Sequence, residues 1–347
     1  MSQRHGPILE EERVGGRQPQ PGQPASNPSQ SGEHSGPQGP LELGVGGWRD
    51  SLKQVGKKIV RDRISISAGS LAYHWFLALF PAVIAAFGFL SLAHVGSSDV
   101  NRVVHGVEKA LPPGVAGVFS AAVHAATKEA SGSLTAVVVG IVIALWSAAA
   151  SMSVLQQTLD VVYEVPIDRK FMARRVRAIP MMIATALLGG LGAGLIIFGA
   201  SLGSAIQGHV ILTGTAFTVV WTVVRWVVAI LAISLLFSIY YYLGPNREAP
   251  RWKWMTAGGL LASALVLVAS LGFSFYVTKF GSYGKTYGSF AGVVILVFWF
   301  YLTGLAALVG GEINAATERQ AAGEPGHTTG VAGAQTMEPR PSRVTAE

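Results

Sequence analysis

Few residues in this chain could carry chemistry, and they lie far apart. Arg225 interrupts an otherwise charge-free run from 178 to 246, and Tyr73-His74 lies inside another, from 64 to 98. If a helix starts near 216, Arg225 lies about 13 Å deep at 1.5 Å per residue. That is close to the middle of a roughly 30 Å hydrocarbon core. A charge there costs at least about 2.5–3.5 kcal/mol, so it should face the bundle interior or a wet cavity. A helix start nearer 220 would let it snorkel instead. Tyr73 and His74 lie at comparable depth when counted from the other side. Arg225, Tyr73 and His74 are therefore a candidate substrate-binding group for an anionic headgroup, or a proton relay. The plain alternative has Tyr73 bonded to a neighbouring carbonyl and His74 packed neutral.

A second polar set gathers where apolar runs end: Gln156, Gln157 and Asp160, then Asn246 and Arg247, then Glu312 and Asn314. Carboxylates near guanidinium groups suit interhelical ion pairing or a gated polar vestibule, and polar caps of this kind also close ordinary bundles. The eight histidines, at 5, 34, 74, 94, 105, 124, 209 and 327, form no ligand cluster. With no cysteine, disulfides, thiolate metal sites and Cys nucleophiles are excluded. No phosphate loop, dinucleotide fingerprint or serine-hydrolase elbow is present. No catalytic residue, metal site or cofactor is expected.

The elements that must hold these residues follow from composition. Of 347 residues, 13% are charged and 50% apolar, whereas soluble proteins average about 25% charged. Charge-free stretches at 64–98, 130–159, 178–224, 226–246, 254–278 and 286–311 each meet the need of about 20 residues for a spanning helix. A soluble enzyme does not fit. The expected fold is an all-α polytopic membrane protein whose six transmembrane helices lie near 64–93, 134–157, 178–202, 216–243, 254–278 and 288–311. Gln207, Gly208 and His209 break the long apolar region between the third and fourth.

Amphipathic helices are expected between the first two spans, one on Val100, Val103, Val104, Val107 and Leu111, the next on Val115, Val118, Phe119, Ala122 and Val123. Segment 51–63 reads as a basic interfacial helix or a solvated lead-in, with Val55, Ile59 and Val60 facing one way and Lys53, Lys57, Lys58 and Arg61 elsewhere. Residues 1–47 and 319–347 are Gly-, Pro- and Ser-rich or polar and read as disordered tails around a 48–318 membrane domain. In span three, Gly190 and Gly194 have GxxxG spacing, which suits close helix packing within the chain or in a homo-oligomer.

The net charge of +7 and pI near 9.7 read as orientation signals and contacts to membrane lipids rather than nucleic-acid binding. Six spans put 20 Lys and Arg on one side and 5 on the other, with Arg225 between. The positive-inside rule then places both termini in the cytoplasm.

Four ordered elements now stand out: Ala72-Tyr73-His74 through Phe80-Pro81; Tyr242-Leu243-Gly244-Pro245-Asn246-Arg247 followed by Arg251-Trp252-Lys253-Trp254; Tyr287-Gly288-Ser289; and Gly310-Gly311-Glu312-Ile313-Asn314-Ala315. Over about 50–318 this set resembles the YihY/BrkB family of bacterial membrane proteins. The chain departs from the pattern at His74, Ala78 and Gly311. The resemblance implies six helices in the cytoplasmic membrane and a link to envelope integrity, without a defined molecular activity. Some members carry an older ribonuclease label, which the scattered histidines do not support, since metal-dependent hydrolysis needs clustered ligands.

The resulting expectation is a non-enzymatic transporter or translocator of an anionic or lipid-like substrate; the alternative is a noncatalytic scaffold of the envelope. A wet cavity holding Arg225, His74 or Tyr73 favours the first and a dry bundle the second. Reporter fusions at Thr213 and at the C-terminus should report opposite sides of the membrane; agreement between them would break the six-span arrangement.

Overall fold

The structure, a computed structural model, describes residues 44–92, 97–110, 116–117, 119–121, 123, 134–207, 214–247, 252–279 and 290–321. Among these the chain is helical, with no strand. The main helices are α1 (Gly44–Arg61), α2 (Ile64–Leu92), α3 (Ser97–Ala110), α4 (Leu134–Val162), α5 (Phe171–Gln207), α6 (Gly214–Leu243), α7 (Trp252–Lys279) and α8 (Phe290–Ala321). Six of them, α2 and α4 to α8, contain stretches long and apolar enough to cross a membrane. In lipid such segments must be helical, because no water is present to satisfy their backbone groups. With six crossings, α1 and the end of α8 lie at the same end of the bundle, referred to below as the terminal end.

Helix order follows chain order around the bundle. α2 packs on α4 and α8, α8 on α7, α7 on α6, and α6 on α5. The main core is concentrated in the terminal half, where Leu71, Leu155, Leu159, Tyr241 and Leu308 are fully buried together. Towards the other end, neighbouring side chains such as Val138, Val139, Val142 and Ile143 on α4 are all exposed. That half presents its apolar surface to lipid rather than to other helices.

α1 begins at Gly44, so residues 44–47, expected in the tail, are helical, and α8 continues to Ala321. The rest of both expected tails lies outside the described residues. α1 does not simply lie on the membrane surface. Its buried face is Ser51, Val55 and Lys58, and Val55 packs on Ile313 and Ala316 of α8. Val60, expected on the same face as Val55, is 80% exposed, while Lys58, expected on another face, is buried with Val55. Spacings of four and three put 51, 55 and 58 on one helical stripe, and carboxylates described below neutralise Lys58.

α3 is the first expected amphipathic helix and touches Phe198 of α5 through Gly106. Of the second, Phe119 and Val123 are described, packed with Val83 and Val104; Val115, Val118 and Ala122 lie outside the described residues.

α5 differs most from expectation. It starts at Phe171, so Arg174, Arg175 and Arg177 belong to the helix and not to a loop. It contains Pro180 and then a π turn, Thr185–Gly189, a combination that disturbs the regular hydrogen-bond ladder. At the π turn Thr185 Oγ1 reaches Met181 O (2.7 Å) and Tyr240 Oη (2.6 Å). Before the turn α5 packs on α4 and α6; beyond it, on α6 and α3. The close seam with α6 uses Gly192, Gly199 and Gly203. A Cβ on Gly199 would lie 2.9 Å from Arg225 Cδ, and one on Gly203 would collide with the Trp221 ring. Gly190 and Gly194 meet no atom within 4 Å, so the intramolecular packing uses other glycines than those two.

Gly203→Leu should therefore lower the thermal midpoint of the purified protein, by an overpacking cost of roughly 1–3 kcal/mol. Gly190→Leu should leave the midpoint unchanged. Equal losses at the two positions would contradict the observed seam.

Candidate functional site

The terminal ends of α1, α4, α6 and α8 converge on a polar knot. α4 ends in a Schellman-type turn, with Val165 N bonded to Asp160 O (2.9 Å) and Glu164 N to Val161 O (3.1 Å). The left-handed position that glycine usually takes in such a turn is held by Glu164, at φ 54°. A non-glycine residue there is strained by about 1–2 kcal/mol. The carboxylate supplies the compensation. Its Oε1 accepts Lys58 Nζ at 2.8 Å and Arg61 Nη2 at 2.6 Å, and its Oε2 accepts Arg319 Nη1 at 3.1 Å. Lys58 also reaches Oε2 of the fully buried Glu312, at 3.4 Å. Burial opposes ionisation of Glu164, but the Lys58 hydrogen bond, the Arg319 charge and the Arg61 bond outweigh it. Its carboxyl sits below the usual glutamate range.

A second part of the knot is built around Tyr163, the residue before Glu164. Arg247 lies over the Tyr163 ring at 4.2 Å and pairs with Glu318 at 2.6 Å. Asn314 Nδ2 donates to Tyr163 Oη at 2.9 Å. Burial pushes the Tyr163 phenol above its ordinary value, so it stays protonated at neutral pH. The turn after α6 docks here residue by residue. Gly244 leaves room for Leu159, whose Cδ1 would lie 2.5 Å from an added Cβ. Asn246 N donates to Asp160 Oδ1 (2.7 Å), and Asn246 Nδ2 to Ile167 O (2.9 Å). Arg169 caps the end of α6 by donating to the carbonyls of Leu243, Gly244 and Pro245, and to Gln156 Oε1. A cation bonded to the last carbonyls of a helix also opposes its dipole.

Of the polar set expected from sequence, Asp160, Asn246, Arg247, Glu312 and Asn314 thus lie in this knot. Gln157 stands apart: it is exposed and bonds back to Ser153 O of its own helix (3.2 Å). Its neighbour Gln156, fully buried, makes the interhelical bond to Arg174 O (3.1 Å). One residue is about 100° of helix rotation, which turns 157 outward when 156 points in. Lys58, Tyr163, Glu164, Arg169, Glu318 and Arg319 were missed. The available signal was Glu164 itself, an acid directly after an apolar helix and followed by a basic stretch.

The midplane group does not assemble. Tyr73 is 57% exposed, and His74 Nδ1 is engaged by Ser70 O of its own helix at 2.8 Å. Ser151 Oγ donates to His74 O (3.0 Å), tying α2 to α4. Arg225 lies across the bundle on α6, against Gly199 of α5. Its Nε is buried without a hydrogen-bond partner, and no carboxylate lies within 4.0 Å among the described residues. A cleft of about 640 Å³ opens between α7 and α8, lined by apolar groups such as Phe273, Val294, Phe298 and Leu302. None of Arg225, Tyr73 and His74 lines it.

These features define a six-span helical membrane protein tied by ion pairs at the end that holds both its first and last helices. The family described as Virulence factor BrkB matches residues 55–332, and the chain belongs to that family. The chain is similar to the ribonuclease-like protein YfkH of Bacillus subtilis, 30% identical over 76% of this chain and 94% of the relative. It is also similar to UPF0761 membrane proteins, at 29% identity in Vibrio vulnificus (74% of this chain, 78% of the relative) and 30% in Aliivibrio salmonicida (76% and 81%). No solved structure matches it.

The knot has a pH signature. Folding favours ionised Glu164, so its contribution is complete above the unfolded glutamate value of about 4.3 and is lost as pH falls through the lower folded value. Thermal melts should show an acid limb in that window. Glu164→Gln should lower the midpoint at neutral pH and flatten the limb. Glu164→Gly should be less harmful than Glu164→Ala, since only glycine relieves the positive φ. An unchanged acid limb in Glu164→Gln would remove this carboxylate from the account.

Proposed function

We propose that the protein is a non-enzymatic translocator of an anionic or lipid-like substrate in the cytoplasmic membrane, serving envelope integrity, with both termini in the cytoplasm. The observation that carries the reading is Arg225. It sits about 16 Å along α6 from Gly214 at 1.5 Å per residue, with no carboxylate beside it among the described residues. An intramembrane charge of this kind has to be compensated by a partner, water or a ligand, and an anion passing along the α5–α6 seam is such a ligand. Tyr73 and His74 belong to this reading only if α2 and α6 come together in another state. Orientation rests on the bias of 20 Lys and Arg against 5. A second copy packed against Gly190 and Gly194, which face open space, is part of the same proposal. Nucleic acid and cofactors have no role in it, and the ribonuclease-like name stays with YfkH.

One observation favours the scaffold reading instead. The cleft between α7 and α8 is apolar and Arg225 does not line it, as expected of a bundle without a wet path.

The two readings separate at Arg225. Arg225→Leu removes an uncompensated charge and should preserve or raise membrane abundance. Under the translocator reading it should abolish rescue of envelope stress in a strain lacking the protein, with Arg225→Lys intermediate because the planar fork is lost. Full rescue by an abundant Leu variant favours the scaffold.

A further inference from the structure

Arg175 is a second guanidinium without a counter-ion among the described residues, and its surroundings are unlike those of Arg225. It lies in the first turns of α5, beside Arg174, whose carbonyl is bonded by Gln156 of α4. Its guanidinium stacks over two rings at once, Trp146 of α4 at 4.6 Å and Phe171 of α5 at 5.2 Å. Nη1 donates to Trp146 O at 3.1 Å, and Nε has no partner. Among the described residues no carboxylate lies within 4.0 Å of it. Arg174 beside it is different, since it pairs with Asp168. Both rings face outward, Trp146 63% and Phe171 58% exposed, and the exposed Met172, Val176 and Ile179 continue the apolar surface along α5.

We propose that Arg175, Trp146 and Phe171 form a binding site for the phosphate of an anionic phospholipid on the lipid-facing side of the α4–α5 contact. A guanidinium carries five donors in a planar fork. Stacking on two rings fixes its plane and leaves most of those donors for an acceptor at its edge. With no carboxylate beside it among the described residues, an anion from outside the chain fits that edge, and the apolar surface beside it accommodates acyl chains, which a free phosphate does not have. Net negative lipids are favoured over zwitterionic ones because the stretch 169–177 contains five basic residues and no acid. The bound lipid bridges α4 and α5 on the Phe171 side of the π turn, beyond which α5 packs on α6 and α3. This site lies on the outer surface, does not include Arg225, and stands or fails separately from translocation.

The test uses the full-length purified protein, delipidated in a neutral detergent. Thermal midpoints are compared after adding phosphatidylglycerol, phosphatidylcholine or inorganic phosphate. Phosphatidylglycerol should raise the midpoint by several degrees, phosphatidylcholine by less, and inorganic phosphate not at all. Arg175→Gln should weaken phosphatidylglycerol binding by about fivefold or more, and exposed Lys53→Gln should not. If Arg175→Gln fails to fold, Trp146→Phe supplies the second readout. Tryptophan quenching by brominated phosphatidylglycerol should then exceed quenching by brominated phosphatidylcholine in the wild type, and Trp146→Phe should remove that excess. Equal effects of the two lipids, an effect of inorganic phosphate equal to that of phosphatidylglycerol, or an undiminished phosphatidylglycerol response in Arg175→Gln would overturn the proposal.

Discussion

Lys58 sits between two carboxylates, 2.8 Å from Glu164 and 3.4 Å from Glu312, and the terminal end of the bundle is arranged around that contact. A fully buried glutamate on a membrane helix is costly unless a cation reaches it. The cation comes from a helix outside the six spans, so α1 has to dock on α8 for Glu312 to be compensated. Once docked, α1 also delivers Arg61 to Glu164, which holds the loop after α4 in its strained turn. Arg319 closes the ring from α8. Electrostatics here decides where elements sit more than how much energy is gained, because the desolvation of three buried or half-buried groups offsets much of the attraction.

The rest of the molecule divides along its length. The terminal half contains the main core and the ion pairs. The other half is held mainly by shape, through glycine seams such as Gly199 and Gly203 against α6, where backbone proximity and dispersion replace the hydrophobic effect. The π turn in α5 lies at the boundary between these regimes. Two guanidinium groups without a counter-ion among the described residues mark separate places in this layout. Arg225 is in the shape-packed seam, and Arg175 is on the lipid-facing surface where α5 meets α4. A bundle built this way has one fixed end and one end whose helices can part with little loss of buried polar contact.

The six spans were legible because low dielectric forbids unpaired charge, which leaves charge-free stretches in the sequence. Five of the polar cap residues were legible for the same reason, since charges reappear where helices leave lipid. What was hidden depended on rotation and neighbours. Gln156 and Gln157 differ only in azimuth, and the buried one could be chosen only once α5 was in place. Arg225 and Tyr73 share a depth that the helical rise gives directly, yet they lie on helices placed apart by the order of packing. The start of α5 was misplaced because Arg174, Arg175 and Arg177 looked like loop charges. One is paired with Asp168 and another is stacked on rings, so a helix tolerates them there. Lys58 looked solvated because its carboxylates come from residues more than one hundred positions away.

The most direct measurement is a double-mutant cycle on Lys58 and Glu312, with unfolding followed in detergent and α1 docking followed by limited proteolysis. Glu164 retains Arg61 and Arg319 when Lys58 is removed, so the coupling reports on the buried pair. Lys58→Met and Glu312→Gln should each cost roughly 3 kcal/mol and expose α1 to cleavage, because each strands a buried group. The double variant should regain about 1–3 kcal/mol of the summed loss. Losses that simply add, with α1 equally protected in every variant, would contradict the claim that this contact organises the terminal end.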